Sequence, residues 1–190
     1  MLRKAVFLDK DGTLVENVPY NVDPARVRLA PDASSLRRLQ AAGYRLIVVT
    51  NQSGVARGYF TEAALHHLAG HLRERLAVEG VCLDGFYYCP HHPDGVLEPY
   101  ARACDCRKPA PGLLFQAAQD QDLDLAASWL IGDILDDVEA AGRAGCRAVL
   151  LDSGGETEWR PGPWRQPVAT VRSLSEAVDA ILAEEPCHER

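Results

Sequence analysis

The sequence predicts an α/β protein with a doubly wound, mainly parallel sheet and helices on both faces. Apolar, β-rich segments alternate along the chain with segments of helical periodicity, the pattern of strand–helix–strand units. Glycines follow several of the helical segments, and polar residues follow several of the strands. The chain has 190 residues, of which 47% are hydrophobic and 25% charged, so we expect one globular domain, residues 1–190.

The periodicity places each element in turn. The predicted strands are Ala5–Leu8, Leu46–Thr50, Phe86–Tyr88, Trp129–Ile131, Ala148–Leu151 and a last short one at Ala169–Val171. The predicted helices are Asp32–Ala42, Thr61–Glu79, Pro111–Gln121, Leu135–Ala144 and Leu174–Glu184. Gly43, Gly80 and Gly145 stand where helices should end, because glycine readily adopts the left-handed conformation found there. Ser173 and Glu176 have the spacing of a capping box.

The charge and hydropathy of the chain argue against two classes of partner. Its net charge of −7 is unfavourable for nucleic-acid binding, because phosphate backbones are bound mainly by clustered lysines and arginines. No apolar run approaches the ~20 residues that span a bilayer. We therefore expect a cytoplasmic protein without a nucleic-acid or membrane partner, and we favour a monomer.

The segment Gly154–Pro167 contains Trp159 and Trp164 but has no periodicity. Its glycines and prolines predict a surface loop before the last strand. The simplest interpretation is that its apolar residues cover the edge of the sheet or contact a partner subunit. The sequence assigns this loop no function.

Polar residues follow the predicted strands. Asp9 and Asp11 come directly after the first strand, and residues two apart in an extended chain face the same side, so both carboxylates can enter one crevice. The other polar positions are Thr50 and Asn51 at the second strand, Arg107 and Lys108 in a later loop, and Asp133, Asp136 and Asp137 after the fourth strand. Because ligands of a doubly wound sheet collect beyond the C-terminal ends of its strands, we expect these clusters to converge.

These are the residue types that phosphoryl transfer requires, because the anionic reacting group must be neutralised before a carboxylate attacks it. We expect Mg²⁺ to be bound by Asp9, Asp133 and the backbone carbonyl of Asp11. Lys108 supplies further positive charge. Asp9 is then the nucleophile that forms an aspartyl-phosphate, and Asp11 is the general acid and base. Two further side chains are expected to contact the phosphoryl oxygens, those of Thr50 and Asn51.

The same residues carry a family resemblance. The segments Asp9-Lys-Asp11-Gly-Thr13, Thr50, Lys108 and Gly132-Asp133-x-x-x-Asp137 resemble the four motifs of the haloacid-dehalogenase (HAD) superfamily, in order and over nearly the whole chain. The resemblance implies a Rossmann-like fold and a magnesium-dependent phosphatase. It also implies that Asp137 supports the magnesium ligands without binding the ion itself.

A narrower resemblance is carried by three segments, Val49-Thr-Asn-Gln-Ser-Gly-Val-Ala-Arg-Gly58, Cys89-Pro-His-His-Pro93 and Cys104-Asp-Cys-Arg-Lys-Pro109. They resemble the D,D-heptose 1,7-bisphosphate phosphatase and histidinol-phosphatase branch. The resemblance implies removal of the 7-phosphate from a heptose 1,7-bisphosphate on the way to nucleotide-activated heptose. The residues expected at the substrate are Asn51, Gln52, Ser53, Arg57 and Arg107.

Cys89, Cys104 and Cys106 crowd with His91 in one short part of the chain, which favours a metal site over disulfides. By the resemblance, these four residues bind zinc. A closed shell of three thiolates and one imidazole suits structural rather than catalytic zinc. From the residues alone, free thiols are the alternative, and His92 could take the place of His91.

The spacing of the motifs leaves no room for a separate cap domain. One helix and a loop fill the interval from Asp11 to Thr50, and a helix, a strand and the cysteine loop fill the interval from Thr50 to Lys108. The cysteine loop, residues 89–106, should therefore act as a minimal cap that helps to wall the crevice.

An open crevice suits a small phosphorylated metabolite with a second anchor, such as a sugar bisphosphate. Arg57, Arg107 and Arg102 are candidates to hold that second phosphate. Ordinary solvated charge is the alternative for Arg57 and Arg102. The segment Val15–Pro24 departs from the Gly-Tyr-Val loop of typical heptose enzymes, which leaves the sugar and its anomer open.

Three other functions fit parts of the sequence. Histidinol phosphate is the alternative substrate. A receiver-like signalling domain also places a phosphorylated aspartate, a hydroxyl and a lysine at a sheet edge, but the acid and base at Asp11 would shorten the life of its phosphate. A zinc-organised binding module leaves Asp9, Asp11, Lys108 and Asp133 unexplained.

Overall fold

The structure, a computed structural model, describes residues 2–185 and contains one six-stranded sheet. The strands are β1 Ala5–Leu8, β2 Arg45–Asn51, β3 Gly85–Cys89, β4 Trp129–Gly132, β5 Arg147–Leu151 and β6 Ala169–Val171. Their order is β3-β2-β1-β4-β5-β6, and each neighbouring pair is parallel. The α-helices are α1 Arg37–Ala41, α2 Glu62–Val78, α3 Gly112–Gln121, α4 Leu135–Ala144 and α5 Leu174–Ala183. The predicted α/β fold is therefore confirmed.

Helices cover both faces of the sheet, and successive side chains of β1 point alternately towards the two helical layers. Val6 and Leu8 belong to a buried cluster that includes apolar residues of α2 and α5. Ala5 and Phe7 point the other way, into a second cluster with residues of α3 and α4. All four side chains are fully buried, as expected for a parallel strand between two helical layers.

The strand order places a crevice next to β1. The chain moves outwards from β1 to β2 and β3, then returns to the other side of β1 for β4. Loops after β1 and β4 consequently diverge at this switch point. Asp9 follows β1 and Asp133 follows β4, so the strand order brings these two carboxylates to the same edge.

The first predicted helix is only partly α-helical. Residues Ala33–Leu36 form a 3-10 helix, which continues into α1. Asp32 does not cap this segment, because its carboxylate instead accepts a 2.6 Å hydrogen bond from the backbone N–H of Ser175 in α5. A further 3-10 helix, Pro24–Arg26, was not predicted.

The predicted helix stops agree with the structure. Gly43, Gly80 and Gly145 have φ angles of +87°, +73° and +82°. The capping box at α5 is only half formed. Ser173 Oγ accepts from the Glu176 N–H at 3.1 Å, but the Glu176 carboxylate accepts from the Arg172 N–H rather than from that of Ser173.

The loop between β5 and β6 is attached to α4. Arg165 donates hydrogen bonds of 2.6 Å to both Glu139 and Asp136 of that helix. Trp159 and Trp164 are more than half exposed. The interpretation that the apolar residues of this loop cover the sheet edge or contact a partner subunit stays a prediction.

Within residues 2–185, no helix combines the length and the hydropathy required to cross a membrane.

Candidate active site and cysteine cluster

Three buried carboxylates meet beyond the C-terminal ends of β1 and β4. Oxygens of Asp9, Asp133 and Asp137 all lie within 4.8 Å of one another. Asp9 directly follows β1, Asp133 directly follows β4, and Asp137 is the third residue of α4. The structure thus brings together the two side chains predicted to bind magnesium and the one predicted to support them.

Lys108 lies among these carboxylates and is almost completely buried. Its ammonium donates to Asp9 Oδ1 at 2.6 Å, to Asp137 Oδ1 at 2.5 Å and to the carbonyl oxygen of Val49 at 2.9 Å. Burial disfavours the charged amine, but Asp137 and Asp9 outweigh burial and raise the pKa of Lys108 above its usual value. The lysine therefore remains an ammonium ion inside the protein.

One ammonium leaves the three carboxylates undercompensated. Burial, followed by the negative charges of Asp9 and Asp137, raises the pKa of Asp133 to about 8. A Cβ atom on Gly12 or Gly155 would lie 2.2 or 1.9 Å from Asp133 Oδ2, so both glycines keep space around this oxygen. The all-oxygen donor set and its excess negative charge fit a hard divalent cation such as Mg²⁺.

Asp11 is held by two side chains. Lys10 Nζ lies 2.5 Å from Asp11 Oδ1, and Gln52 Nε2 donates to Asp11 Oδ2 at 3.1 Å. Burial raises the pKa of Asp11, and the charge of Lys10 opposes that rise. The sequence did not predict a role for Lys10, because a lysine between two aspartates is equally compatible with an exposed loop.

The side chains of Asn51 and Gln52 are engaged within the protein. Asn51 donates to the carbonyl oxygen of Lys108 and accepts from its N–H, both at 3.0 Å. The Gln52 amide also donates to Thr50 Oγ1 at 3.0 Å. These amides hold Lys108, Asp11 and Thr50, and the contact of Asn51 and Gln52 with the substrate stays a prediction. Ser53 lies in the turn that follows β2.

Arg57 and Arg107 lie near His92. The positive charges of Arg107 and Arg57 lower the pKa of His92, after the larger effect of burial. Arg57 Nε and Arg107 Nη1 are buried without a hydrogen-bond partner in the part of the chain that the structure describes. An unsatisfied buried donor calls for a partner such as a water molecule or an ion. Arg57 Nη2 lies 3.4 Å from His92 Nε2, and Arg102 Nη2 lies 3.0 Å from His91 Nε2.

The cysteine cluster contains the four predicted residues. Cys106 Sγ lies 3.0 Å from Cys89 Sγ and 3.4 Å from Cys104 Sγ, and His91 Nδ1 lies 3.3 Å from Cys106 Sγ. The sulfur–sulfur separations are shorter than the roughly 3.8 Å edge of a tetrahedron with Zn–S bonds of about 2.3 Å. The donor set fits zinc.

His92 lies outside the cysteine cluster, so His91 is the histidine of this donor set. The Nδ1 atom of His92 accepts a 3.1 Å hydrogen bond from the N–H of Asp94.

Glu62, at the start of α2, fastens the cysteine loop to the rest of the molecule. Its carboxylate accepts from the hydroxyls of Tyr88 at 2.9 Å and Tyr100 at 2.6 Å. The Tyr100 hydrogen bond, in particular, lowers the pKa of Glu62. This contact was not predicted, because its members are far apart in the sequence and follow no motif.

Comparisons with known proteins agree with this architecture. A HAD-hydrolase-like family model matches residues 105–177. The chain is 43% identical over 159 residues to the D-glycero-beta-D-manno-heptose-1,7-bisphosphate 7-phosphatase of Salmonella typhi, covering 80% of this chain and 81% of the relative. The protein of that name from Photorhabdus laumondii is 45% identical over 144 residues, covering 72% and 73% of the two chains.

Solved structures give a similar result. The D,D-heptose 1,7-bisphosphate phosphatase of B. bronchiseptica, complexed with magnesium and phosphate, superposes with a TM-score of 0.79 and 30% identity, covering 96% of this chain and 99% of the other. A putative HAD-like phosphatase of Mesorhizobium loti superposes with a TM-score of 0.84 and 37% identity, covering 96% and 86%.

Proposed function

The chain belongs to the family of HAD-like phosphatases that contains these heptose-bisphosphate enzymes, and we propose that it removes the 7-phosphate of D-glycero-D-manno-heptose 1,7-bisphosphate. The observation that carries the proposal is the buried group of Asp9, Asp133 and Asp137 around the ammonium of Lys108. A carboxylate nucleophile attacks a phosphate only where the negative charge is neutralised, and this group supplies the ammonium and the oxygen ligands for a cation.

Asp9 is the proposed nucleophile. Its carboxylate oxygen forms a bond to phosphorus as the bond to the sugar oxygen breaks, which gives an aspartyl-phosphate. The Asp11 carboxyl group donates its proton to the departing oxygen. Gln52 holds Asp11 in place through the 3.1 Å hydrogen bond, and Lys10 pairs with the other carboxylate oxygen.

The second half of the reaction reverses the role of Asp11. Its carboxylate takes a proton from the attacking water, the water oxygen bonds to phosphorus, and the bond to Asp9 breaks to release inorganic phosphate. Thr50 directs its hydroxyl at the phosphoryl group. Lys108 stabilises the developing charge, and Asn51 fixes the backbone of Lys108 from both sides.

Magnesium fits the proposed site, where Asp9, Asp133 and the carbonyl of Asp11 would bind it. Asp137, oriented by its hydrogen bond from Lys108, would support these ligands without binding the ion. When bound, Mg²⁺ supplies positive charge to the phosphoryl oxygens. Zinc, held by Cys89, His91, Cys104 and Cys106, has a structural role in this proposal.

The identity of the substrate is supported by the relatives and by two arginines. Arg57 and Arg107 each carry a buried N–H group without a partner among residues 2–185. The positive charges of both lower the pKa of His92. A second phosphate would satisfy these donors. Histidinol phosphate has only one phosphate and carries an ammonium group, which the arginines would repel.

The family excludes two of the alternatives suggested by the sequence. The relatives are named phosphatases, so neither a receiver-like signalling domain nor a binding module without activity agrees with them. A cytoplasmic location, a monomeric state and the absence of a nucleic-acid partner stay predictions.

The experiment that tests the proposed function is a phosphate-release assay with and without Mg²⁺ across heptose 1,7-bisphosphate, histidinol phosphate and other sugar phosphates. We expect magnesium-dependent release of one phosphate, with the heptose 1,7-bisphosphate as the best substrate. Nuclear magnetic resonance of the product should show that the 1-phosphate is retained. Faster release from histidinol phosphate would reject the heptose assignment while leaving the phosphatase assignment intact.

A further inference from the structure

The segment that follows β5 returns across the catalytic edge of the sheet and contacts two of its loops. Ser153 Oγ donates to the carbonyl oxygen of Gly12 at 3.1 Å. Three residues later, Glu156 Oε2 accepts from the backbone N–H of Leu135 at 2.7 Å. Residues 153–156, hereafter the clasp, therefore connect the loop that carries Asp11 with the helix that follows Asp133.

Between these two hydrogen bonds, the clasp approaches the Asp133 carboxylate directly. A Cβ atom on Gly155 would lie 1.9 Å from Asp133 Oδ2, and one on Gly12 would lie 2.2 Å from the same oxygen. The oxygen therefore lies close to two stretches of backbone. Because Gly12 also crowds this oxygen, a side chain at position 155 would force the carboxylate out of its place.

Glu156 also accepts a hydrogen bond from the first N–H group of α4, which has no acceptor within the helix. The first N–H groups of a helix require acceptors from outside the helix, and the side chain that usually supplies one belongs to the preceding residue. That residue is Ile134, whose apolar side chain accepts nothing. Glu156 supplies the acceptor from 21 residues farther along the chain and brings a negative charge to the positive end of the helix.

The far end of the same loop is attached to the same helix. Arg165 bonds to Asp136 and Glu139 at 2.6 Å each, and its side chain is only 18% exposed. The loop between Glu156 and Arg165 is therefore fixed to α4 at both ends, so the clasp does not depend on the sheet alone for its position.

We propose that Glu156 is a positioning residue, which through the clasp fixes the Asp133 carboxylate for binding of the catalytic cation. This inference rests on the magnesium site of the proposed function. It gives the loop after β5 a role in metal affinity rather than in substrate contact.

The test measures Mg²⁺ binding by calorimetry on the full chain after dialysis into magnesium-free buffer, together with the unfolding temperature and the magnesium dependence of phosphate release. Glu156→Ala should raise the Kd for Mg²⁺ about 10- to 100-fold, the range seen when groups that orient metal ligands are removed. Glu156→Gln should restore part of the affinity, because its amide oxygen can still accept from Leu135, whereas its amide nitrogen cannot accept from the Glu158 N–H as Glu156 Oε1 does at 2.6 Å. Glu158→Ala is the matched control, since it removes a carboxylate paired with exposed Arg160 and keeps the backbone N–H that donates to Glu156.

Gly155→Ala is a second variant that retains every hydrogen bond of the clasp. It should raise the Kd for Mg²⁺ in a folded protein, and it decides the matter if Glu156→Ala does not fold. The proposal is overturned if Gly155→Ala binds Mg²⁺ as tightly as the wild type, or if Glu156→Ala lowers only the unfolding temperature. It is also overturned if Glu156→Gln is as defective as Glu156→Ala. Failure of the wild type to bind Mg²⁺ would instead reject the metal site of the proposed function, and the clasp with it.

Discussion

The ammonium of Lys108 donates a 2.6 Å hydrogen bond to the carboxylate of Asp9, although 99 residues separate them in the chain. The same ammonium also bonds to Asp137, so one buried cation joins the end of β1, the segment after the cysteine loop and the start of α4. The proposed catalysis and the stability of the fold therefore depend on the same ion network. Substitutions can measure the two contributions separately.

Asp9→Asn should reduce phosphate release by at least about 10⁴-fold while the fold survives, because the amide keeps the shape of the side chain but is no nucleophile. Phosphate release and the circular dichroism spectrum measure the two effects. Asp120→Asn, a change at an exposed position of α3, is the control and should retain full activity. Turnover by Asp9→Asn within tenfold of wild type would disprove the nucleophile assignment.

Asp11→Asn should slow the hydrolysis of sugar phosphates by roughly 10²–10⁴-fold, the usual contribution of a general acid. Aryl phosphates should suffer much less, because their leaving groups depart without a proton. The measurement compares kcat/KM for a sugar phosphate and for 4-nitrophenyl phosphate in the wild type and the variant. An equal loss on both substrates would rule out proton donation by Asp11.

Lys108→Met should destabilise the protein by roughly 3–5 kcal/mol in magnesium-free buffer, because it leaves buried carboxylates without their cation. Added Mg²⁺ should recover part of this loss. Urea unfolding gives both values. Lys4→Met is the matched control, since Lys4 makes a partly exposed ion pair with Glu185 and its loss should cost at most about 1 kcal/mol. Similar losses in the two variants would contradict the proposed charge balance.

The protein should contain about one zinc ion per chain when purified without chelator, as measured by elemental analysis. Cys104→Ser should lose the zinc and lower the unfolding temperature by at least about 4 °C, which corresponds to roughly 1–2 kcal/mol in a chain of this size. Cys82→Ser, at an exposed cysteine outside the cluster, should change neither. Full stability of a zinc-free Cys104→Ser protein would show that the metal has no structural role.

Arg107→Ala should lower kcat/KM for heptose 1,7-bisphosphate by about ten- to more than a hundredfold, because a charge-assisted contact to phosphate contributes roughly 1.5–3 kcal/mol. The loss for a sugar with one phosphate should be much smaller. Arg160→Ala, at an exposed position of the loop after β5, provides the control. A uniform loss on both kinds of substrate would assign Arg107 to the transferred phosphoryl group instead of the second phosphate.

The sequence predicted those features that depend on periodicity or on position at a strand end. Apolar, β-rich runs identified the strands, and the position after a strand identified Asp9 and Asp133, because parallel strands bring their ends to one edge. The contacts of Lys10, Glu62, Glu156 and Arg165 were not predictable. Each joins segments or side chains whose pairing is set by tertiary packing, and a charged residue in a loop has the same local pattern whether it is solvated or bonded.

The two hydrogen bonds between Asn51 and the backbone of Lys108 have a consequence for binding entropy. Cys106 is held in the cysteine cluster and Lys108 is held by Asn51, so Arg107 is the single residue between two anchored neighbours. Its backbone is already ordered before a ligand arrives. Binding of a phosphate would therefore cost mainly the rotamer entropy of the Arg107 side chain. Such preorganisation leaves more of the contact energy as affinity.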